Sequence, residues 1–229
     1  MSRVIAVVEG QTEQGFVDDV LAPWLGARGV YITARLVGKP GHKGGVGEYQ
    51  RARKDMLLLL RQEKGTAITT MFDFYAMPDS WPGRSTAGSI PFANRAPTVE
   101  NALKQDIVSE MGGTFDEARF LPYVQMHEFE ALLFSQPSVI CEVLRCPEKL
   151  AECQQIRSKF SSPEEINDSP QTAPSKRLAT LSSSTRYRKR TSGLIAAQRI
   201  GIEPMISECP HFFEWLNTLC SLAVRGEED

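Results

Sequence analysis

Three apolar runs in this chain end in acid. Val4-Ile5-Ala6-Val7-Val8 passes into Glu9-Gly10-Gln11-Thr12-Glu13, the run from Ala67 to Phe74 carries Asp73 near its end, and the run from Phe120 to Gln125 leads to His127-Glu128-Phe129-Glu130. A short apolar run followed by a glycine turn reads as a buried strand entering a helix. In α/β sheets the carboxyl ends of such strands open onto the ligand crevice. Carboxylates are hard oxygen donors, suited to Mg2+ or Mn2+ rather than zinc. A cation held there would let an anionic phosphodiester approach acids that otherwise repel it, which is the chemistry of metal-assisted phosphoryl transfer. The candidate metal ligands are Glu9, Glu13, Asp73 and Glu128, and the candidate catalytic set is Glu9, Asp73, Glu128 and Glu130.

The same residues have structural uses. Glu13, Glu128 and Glu130 would complement a helix dipole from the first turn, and Asp73 would open the loop after its strand. Gly10 allows a tight turn and Thr12 is an N-cap candidate. On a regular α-helix Glu128 and Glu130 would diverge by about 200°, so that only one faces the crevice, and Glu128 is the nearer to the strand. His127, beside an apolar run, reads as hydrogen-bonded packing.

Periodicity predicts the elements that must position these acids. Strands are expected at Arg3–Val8, Tyr31–Val37, Ala67–Phe74 and Arg119–Gln125, alternating with helices at about Glu13–Leu25, Tyr49–Lys64 and Val99–Met111. This alternation predicts an α/β fold with a largely parallel, doubly wound central sheet flanked by helices. Beyond Met126 only short helices are legible, at Glu128–Phe134, Ser138–Leu144, Glu148–Phe160, Ser175–Leu181, Thr191–Ile200 and Pro210–Val224. The expected division is an α/β core over residues 1–135 and a helical extension packed on it over residues 136–229. The proline-punctuated stretch from Ser161 to Pro174 reads as a functional loop or hinge.

With 41% hydrophobic and 24% charged residues, the composition is that of a globular protein and excludes a disordered chain. No apolar run reaches the ~20 residues of a spanning helix. Met1-Ser2-Arg3 leads into a strand rather than a signal peptide, and the odd count of five cysteines favours reduced thiols. The expected location is cytoplasmic, with no membrane partner. A homo-oligomer is left open.

A net charge of −2 does not identify a partner, so local charge decides. Lys39-Pro40-Gly41-His42-Lys43-Gly44-Gly45 follows the second strand and would project from the same edge as the acids, with Arg51, Arg53 and Lys54 on the next helix. Its glycines would let backbone approach phosphate, although the spacing is not that of a Walker A loop. Lys176 and Arg177 stand at a predicted helix start, where backbone amides favour an anion. In Arg186-Tyr187-Arg188-Lys189-Arg190 the arginines can fork onto phosphates while Tyr187 can stack on an unpaired base. The nucleic-acid-binding candidates are Lys39, Lys43, Lys176, Arg177 and Arg188, with solvated surface charge as the alternative. A zinc site on Cys209 and His211 lacks the second Cys/His pair that such a site requires.

The Glu9–Glu13 turn, Asp73-Phe74-Tyr75 and His127-Glu128-Phe129-Glu130-Ala131-Leu132-Leu133-Phe134 together resemble a bacterial TOPRIM-like family related to the overcoming-lysogenisation-defect nucleases. The resemblance continues through Ile166-Asn167-Asp168-Ser169-Pro170-Gln171-Thr172-Ala173-Pro174-Ser175-Lys176-Arg177-Leu178 and Glu208-Cys209-Pro210-His211-Phe212-Phe213-Glu214-Trp215-Leu216. It implies a TOPRIM-like core in which Glu9 matches the glutamate after strand 1 and Asp73 the first aspartate of an Asp-x-Asp pair, together holding Mg2+ or Mn2+. It also implies DNA or RNA as substrate and an ABC- or AAA-type ATPase partner in trans, in an antiviral defence setting. Tyr75 stands where the second aspartate would be. Either Glu128 or Glu130 supplies the missing charge, or the chain is a non-catalytic nucleic-acid-binding or ATPase-docking subunit.

Overall fold

The structure, a computed structural model, describes residues 1–38, 47–75, 77–167, 171–182 and 187–225. Strands β1 (Ser2–Val8), β2 (Val30–Leu36), β3 (Thr66–Asp73), β4 (Phe120–Leu121) and β5 (Val124–Gln125) form a five-stranded sheet. The order is β2-β1-β3-β4, with β5 pairing β3 beyond β4, and every pairing is parallel. The protein is thus α/β, with a parallel central sheet flanked by helices and followed by a C-terminal helical region.

Alternation along β1 builds two cores. Val4, Ala6 and Val8 pack on one face with Phe16, Leu21 and Leu25, from the helical run made of α1 (Gln11–Phe16), a π-helical turn (Val17–Leu21) and α2 (Ala22–Gly26). Ile5 and Val7 pack on the other face with Met56 and Leu60 of α3 (Tyr49–Gln62) and Val99 and Leu103 of α5 (Phe92–Met111). Every residue of β3 is buried, as expected of a central strand covered on both sides. The chain therefore leaves β1 over one face and leaves β2 over the other, and β1 and β3 become neighbours where the winding reverses. That boundary is the topological switch point, where open α/β sheets form a crevice at their carboxyl edge.

Several boundaries differ from the periodicity. The fourth predicted strand is broken at Pro122, which has no N–H to give a ladder. The Thr70 hydroxyl spans the gap, accepting from Tyr123 N at 2.9 Å and donating to Tyr123 O at 2.8 Å. Helix α5 begins at Phe92 rather than Val99 and carries Pro97 inside it. The proline deletes one helical hydrogen bond, while the buried stripe of Ala96, Val99, Leu103 and Ile107 keeps the segment helical. Gly10, not Thr12, is the N-cap of α1. A short helix α4 (Arg84–Ala87) stands in the loop after β3, where no helix is predicted.

The C-terminal region comprises a 3-10 run (Phe129–Ser135), α6 (Pro137–Val143), α7 (Leu150–Arg157), α8 (Pro174–Leu181), α9 (Leu194–Ile200), α10 (Ile202–Glu208) and α11 (Pro210–Arg225). Helix α10 is absent from the sequence reading, and the predicted helix over Glu148–Phe160 resolves into a 3-10 turn at Pro147–Lys149 and α7. Phe212, Leu216 and Leu219 of α11 join the same apolar cluster as Val4 and Ala6, so the extension packs directly on the sheet. The buried Glu164 carboxylate seats α11 by accepting from the amides of His211 and Phe212, each at 3.0 Å. His211 Nε2 in turn meets Glu100 Oε1 of α5 at 2.8 Å.

This seat makes stability depend on pH. Burial alone would lower the His211 imidazole, but its hydrogen bond to Glu100 and the charges of Glu100, Glu164 and Glu214 leave it above its ordinary 6.5. Burial also raises the Glu164 carboxyl above its ordinary 4.5, against the pull of the His211 and Phe212 amides. Both groups hold protons more tightly folded than unfolded. Their contribution is complete below the unfolded values and is lost as pH rises through the folded ones. Urea-unfolding free energy should therefore decline as pH rises above about 6.5, and His211→Gln should flatten that decline. An unchanged pH profile in the variant would show that His211 is not responsible.

Candidate metal centre

The parallel register sets the site. Val8 pairs with Met71, which places Glu9 and Asp73 together just past the last β1–β3 couple. Asp73 pairs with Gln125, so the segment carrying Glu128 emerges beside it. Helix α1 returns Glu13 to the same point from its first turn. Oxygens of Glu9, Glu13 and Asp73 all lie within 4.8 Å of one another, with Glu13 and Asp73 buried and Glu9 half-buried. Gly10 serves close approach rather than an unusual turn. Its φ of −141° is open to any residue, but a Cβ there would stand 2.6 Å from Glu13 Oε2.

The two later glutamates border this group and carry structural bonds. Glu128 has extended backbone ahead of the 3-10 run, so the divergence expected on an α-helix does not apply. Its carboxylate accepts from Ser175 N at 2.9 Å and Ser175 Oγ at 3.0 Å, at the start of α8. Glu130 is fully buried and accepts from the Tyr187 hydroxyl at 3.0 Å. Between them, Phe129 N donates to Asp73 Oδ1 at 3.0 Å and joins this segment to the triad. The Tyr187 hydroxyl is pushed far up by burial and then by Glu130, with Glu128 and Glu13 adding to the effect, so it stays protonated and donates. Five carboxylates, Glu9, Glu13, Asp73, Glu128 and Glu130, thus gather at one edge of the sheet.

The other sequence candidates fall into place around this group. Tyr75 is 40% exposed, and the third carboxylate of the triad comes from Glu13 rather than from that position. His127 packs as expected, its ring 5.8 Å from Phe92 and 6.5 Å from Phe74, with Nδ1 3.1 Å from Asn167 Nδ2. Its φ of +60° turns the chain between β5 and Glu128. The phosphate expected at the start of α8 has a competitor there, since Glu128 takes the first amide. Lys176 is exposed, whereas Arg177 is half-buried and donates from Nε to Thr172 O at 2.6 Å. Arg188 is exposed. Tyr187 points inward to Glu130 and not outward for base stacking. Lys39 and Lys43 lie outside the described residues. Cys209 is buried with its thiol raised well above its ordinary value, first by burial, and His211 is committed to Glu100, which leaves no zinc pair.

Ser175 and Tyr187, which hold Glu128 and Glu130, are missed by sequence reasoning in these roles. They stand 47 and 57 residues from their partners, and no local pattern links them.

Fold and site define an α/β protein with a carboxylate cluster at the switch point of its sheet. A family model described as "Domain of unknown function (DUF4276)" matches residues 8–220. The chain belongs to this family. No curated protein and no solved structure matches it.

Because Glu128 closes the start of α8, Glu128→Ala should cost about 1–2 kcal/mol of stability without any divalent cation present. Ser175→Ala should cost part of the same amount, and the two together less than their sum. Urea denaturation in chelator provides the test. Wild-type stability in Glu128→Ala would deny Glu128 its structural part.

Proposed function

We propose that the protein is a Mg2+- or Mn2+-dependent nuclease, or a related phosphoryl-transfer enzyme, acting on DNA or RNA. The observation that carries this reading is the convergence of Glu9, Glu13 and Asp73 within 4.8 Å at the carboxyl edge of a parallel sheet. The donor set fits such a cation. It consists of carboxylate oxygens alone, the donors that a hard divalent cation takes, and all three lie within 4.8 Å of one another. Crowded, largely buried carboxylates disfavour their charged forms, a cost that a divalent cation offsets. The TOPRIM-like reading of the family draws on the same residues, with Glu13 supplying the charge that Tyr75 cannot.

In this reading Glu9, Glu13 and Asp73 hold the cation. When bound, it supplies positive charge that offsets repulsion between these acids and a phosphodiester and stabilises the charge developing at phosphorus. Phe129 N–H orients Asp73, and the Tyr187 hydroxyl holds Glu130. Glu128 and Glu130 form the border of the site, from which either can orient an attacking water. Lys39, Lys43, Lys176, Arg177 and Arg188 remain the proposed contacts to nucleic-acid phosphates, and an ABC- or AAA-type ATPase the proposed partner in antiviral defence.

Calorimetric Mn2+ titration and a cleavage assay on DNA and RNA, each with and without a candidate ATPase, test the proposal. Glu9→Gln and Asp73→Asn keep side-chain volume and delete a ligand charge. Each should weaken Mn2+ binding at least tenfold and reduce cleavage by more than about a hundredfold while the protein stays folded. Wild-type cleavage by both variants would overturn the mechanism. Mn2+ binding with no cleavage under any of these conditions would favour the non-catalytic subunit.

A further inference from the structure

We infer that Arg51, seated on Gly38, contacts a phosphate of the nucleic-acid strand that enters the Glu9, Glu13 and Asp73 site. The inference rests on the function proposed above and singles out one substrate contact from the basic residues that follow the second strand. Gly38 lies two residues past the last β1–β2 couple, Val8 with Leu36, and Val37 N still donates to Val8 O at 3.0 Å. Gly10 lies equally far past that couple on β1. Adjacent strands run about 4.8 Å apart, so the Gly38 seat and the Glu9-Gly10 turn are neighbours on one edge of the sheet.

The seat is built from several parts. Gly38 has a φ of +80°, and a Cβ on it would overlap the Arg51 guanidinium, so the side chain lies directly over bare backbone. Gly38 N is fixed by Asp55 Oδ2 at 2.6 Å, one turn along α3 from Arg51. A long cationic side chain thus lies over the backbone just past the end of β2. The acids do not hold it, for Arg51 is exposed and makes no ion pair among the described residues. Arg53, two residues on, is instead committed to Asp106 at 2.7 Å and Glu110 at 2.9 Å.

The register thus brings an exposed guanidinium and the carboxylate group to one edge of the sheet, which carries both signs of charge. The acids suit a cation, and the planar fork of N–H donors suits the non-bridging oxygens of a phosphodiester. A strand whose reacting phosphate lies at the triad would present a neighbouring phosphate to Arg51.

The test is fluorescence anisotropy of a short fluorescein-labelled DNA strand, and of the matching RNA, over a salt series with Ca2+ in place of Mg2+. Wild type is compared with Arg51→Ala and with Lys54→Ala, an exposed cation on the same helix. Arg51→Ala should bind about tenfold more weakly, with a salt slope shallower by about 0.7 for one lost contact on a single strand. Its Mn2+ affinity should match wild type, and Lys54→Ala should keep the wild-type slope. Equal affinity and slope in wild type and Arg51→Ala would overturn the inference and leave the proposed activity standing. An equal loss in Lys54→Ala would also overturn it, by marking a diffuse field instead of a contact. A wild-type protein that binds Mn2+ but neither nucleic acid would overturn the inference and the proposed substrate class together.

Discussion

A parallel sheet delivers the carboxyl end of every strand to one edge, and the rest of this molecule follows from what stands at that edge. β1 and β3 become neighbours where the winding reverses, and each ends in an acid. Helix α1 starts at Gly10 and brings Glu13 to the same place. The sheet itself is ordinary, with alternating faces and a fully buried central strand. Its topology converts carboxylates far apart in sequence into one group, with Glu128 and Glu130 at its border.

Such a group is costly to assemble, and the protein distributes that cost. Buried carboxylates are tolerated when hydrogen-bond donors meet them. Phe129 N–H meets Asp73, the start of α8 meets Glu128, and the Tyr187 hydroxyl meets Glu130. All three donors come from the C-terminal helical region. That region therefore does more than cover one face of the sheet, because it also supplies the donors that meet the acids. The Glu164 seat of α11 repeats the device, with one buried carboxylate closing a helix start.

What the sequence discloses and what it hides divides along interaction range. β1, β2, β3 and α3 were legible to within a residue or two, because burial on two faces and a 3.6-residue stripe leave local periodic marks. Glu9, Asp73 and Glu128 were legible as strand-end acids for the same reason. The start of α5 was not, since Pro97 reads as a breaker until the buried stripe around it is known. The split between β4 and β5 depends on a hydroxyl on another strand. The inward turn of Tyr187 was hidden by its setting in a basic run, where a stacking role was the natural expectation.

The sharpest difference concerns which acids belong together. Sequence order groups Glu128 with Glu130, ranks Glu128 with Glu9 and Asp73, and reads Glu13 both as a candidate ligand and as a first-turn acid. In space the tightest group is Glu9, Glu13 and Asp73, while Glu128 and Glu130 stand at its border, held by Ser175 and Tyr187. Gly10 explains why Glu13 can take part. A side chain at that position would collide with the returning carboxylate, although the backbone there is relaxed and would accept any residue. The glycine thus leaves room for the acid three residues later, and the turn itself does not call for it. The carboxylate that returns over this cap meets those of Glu9 and Asp73, and that placement distinguishes Glu13 from an acid that only answers a helix dipole.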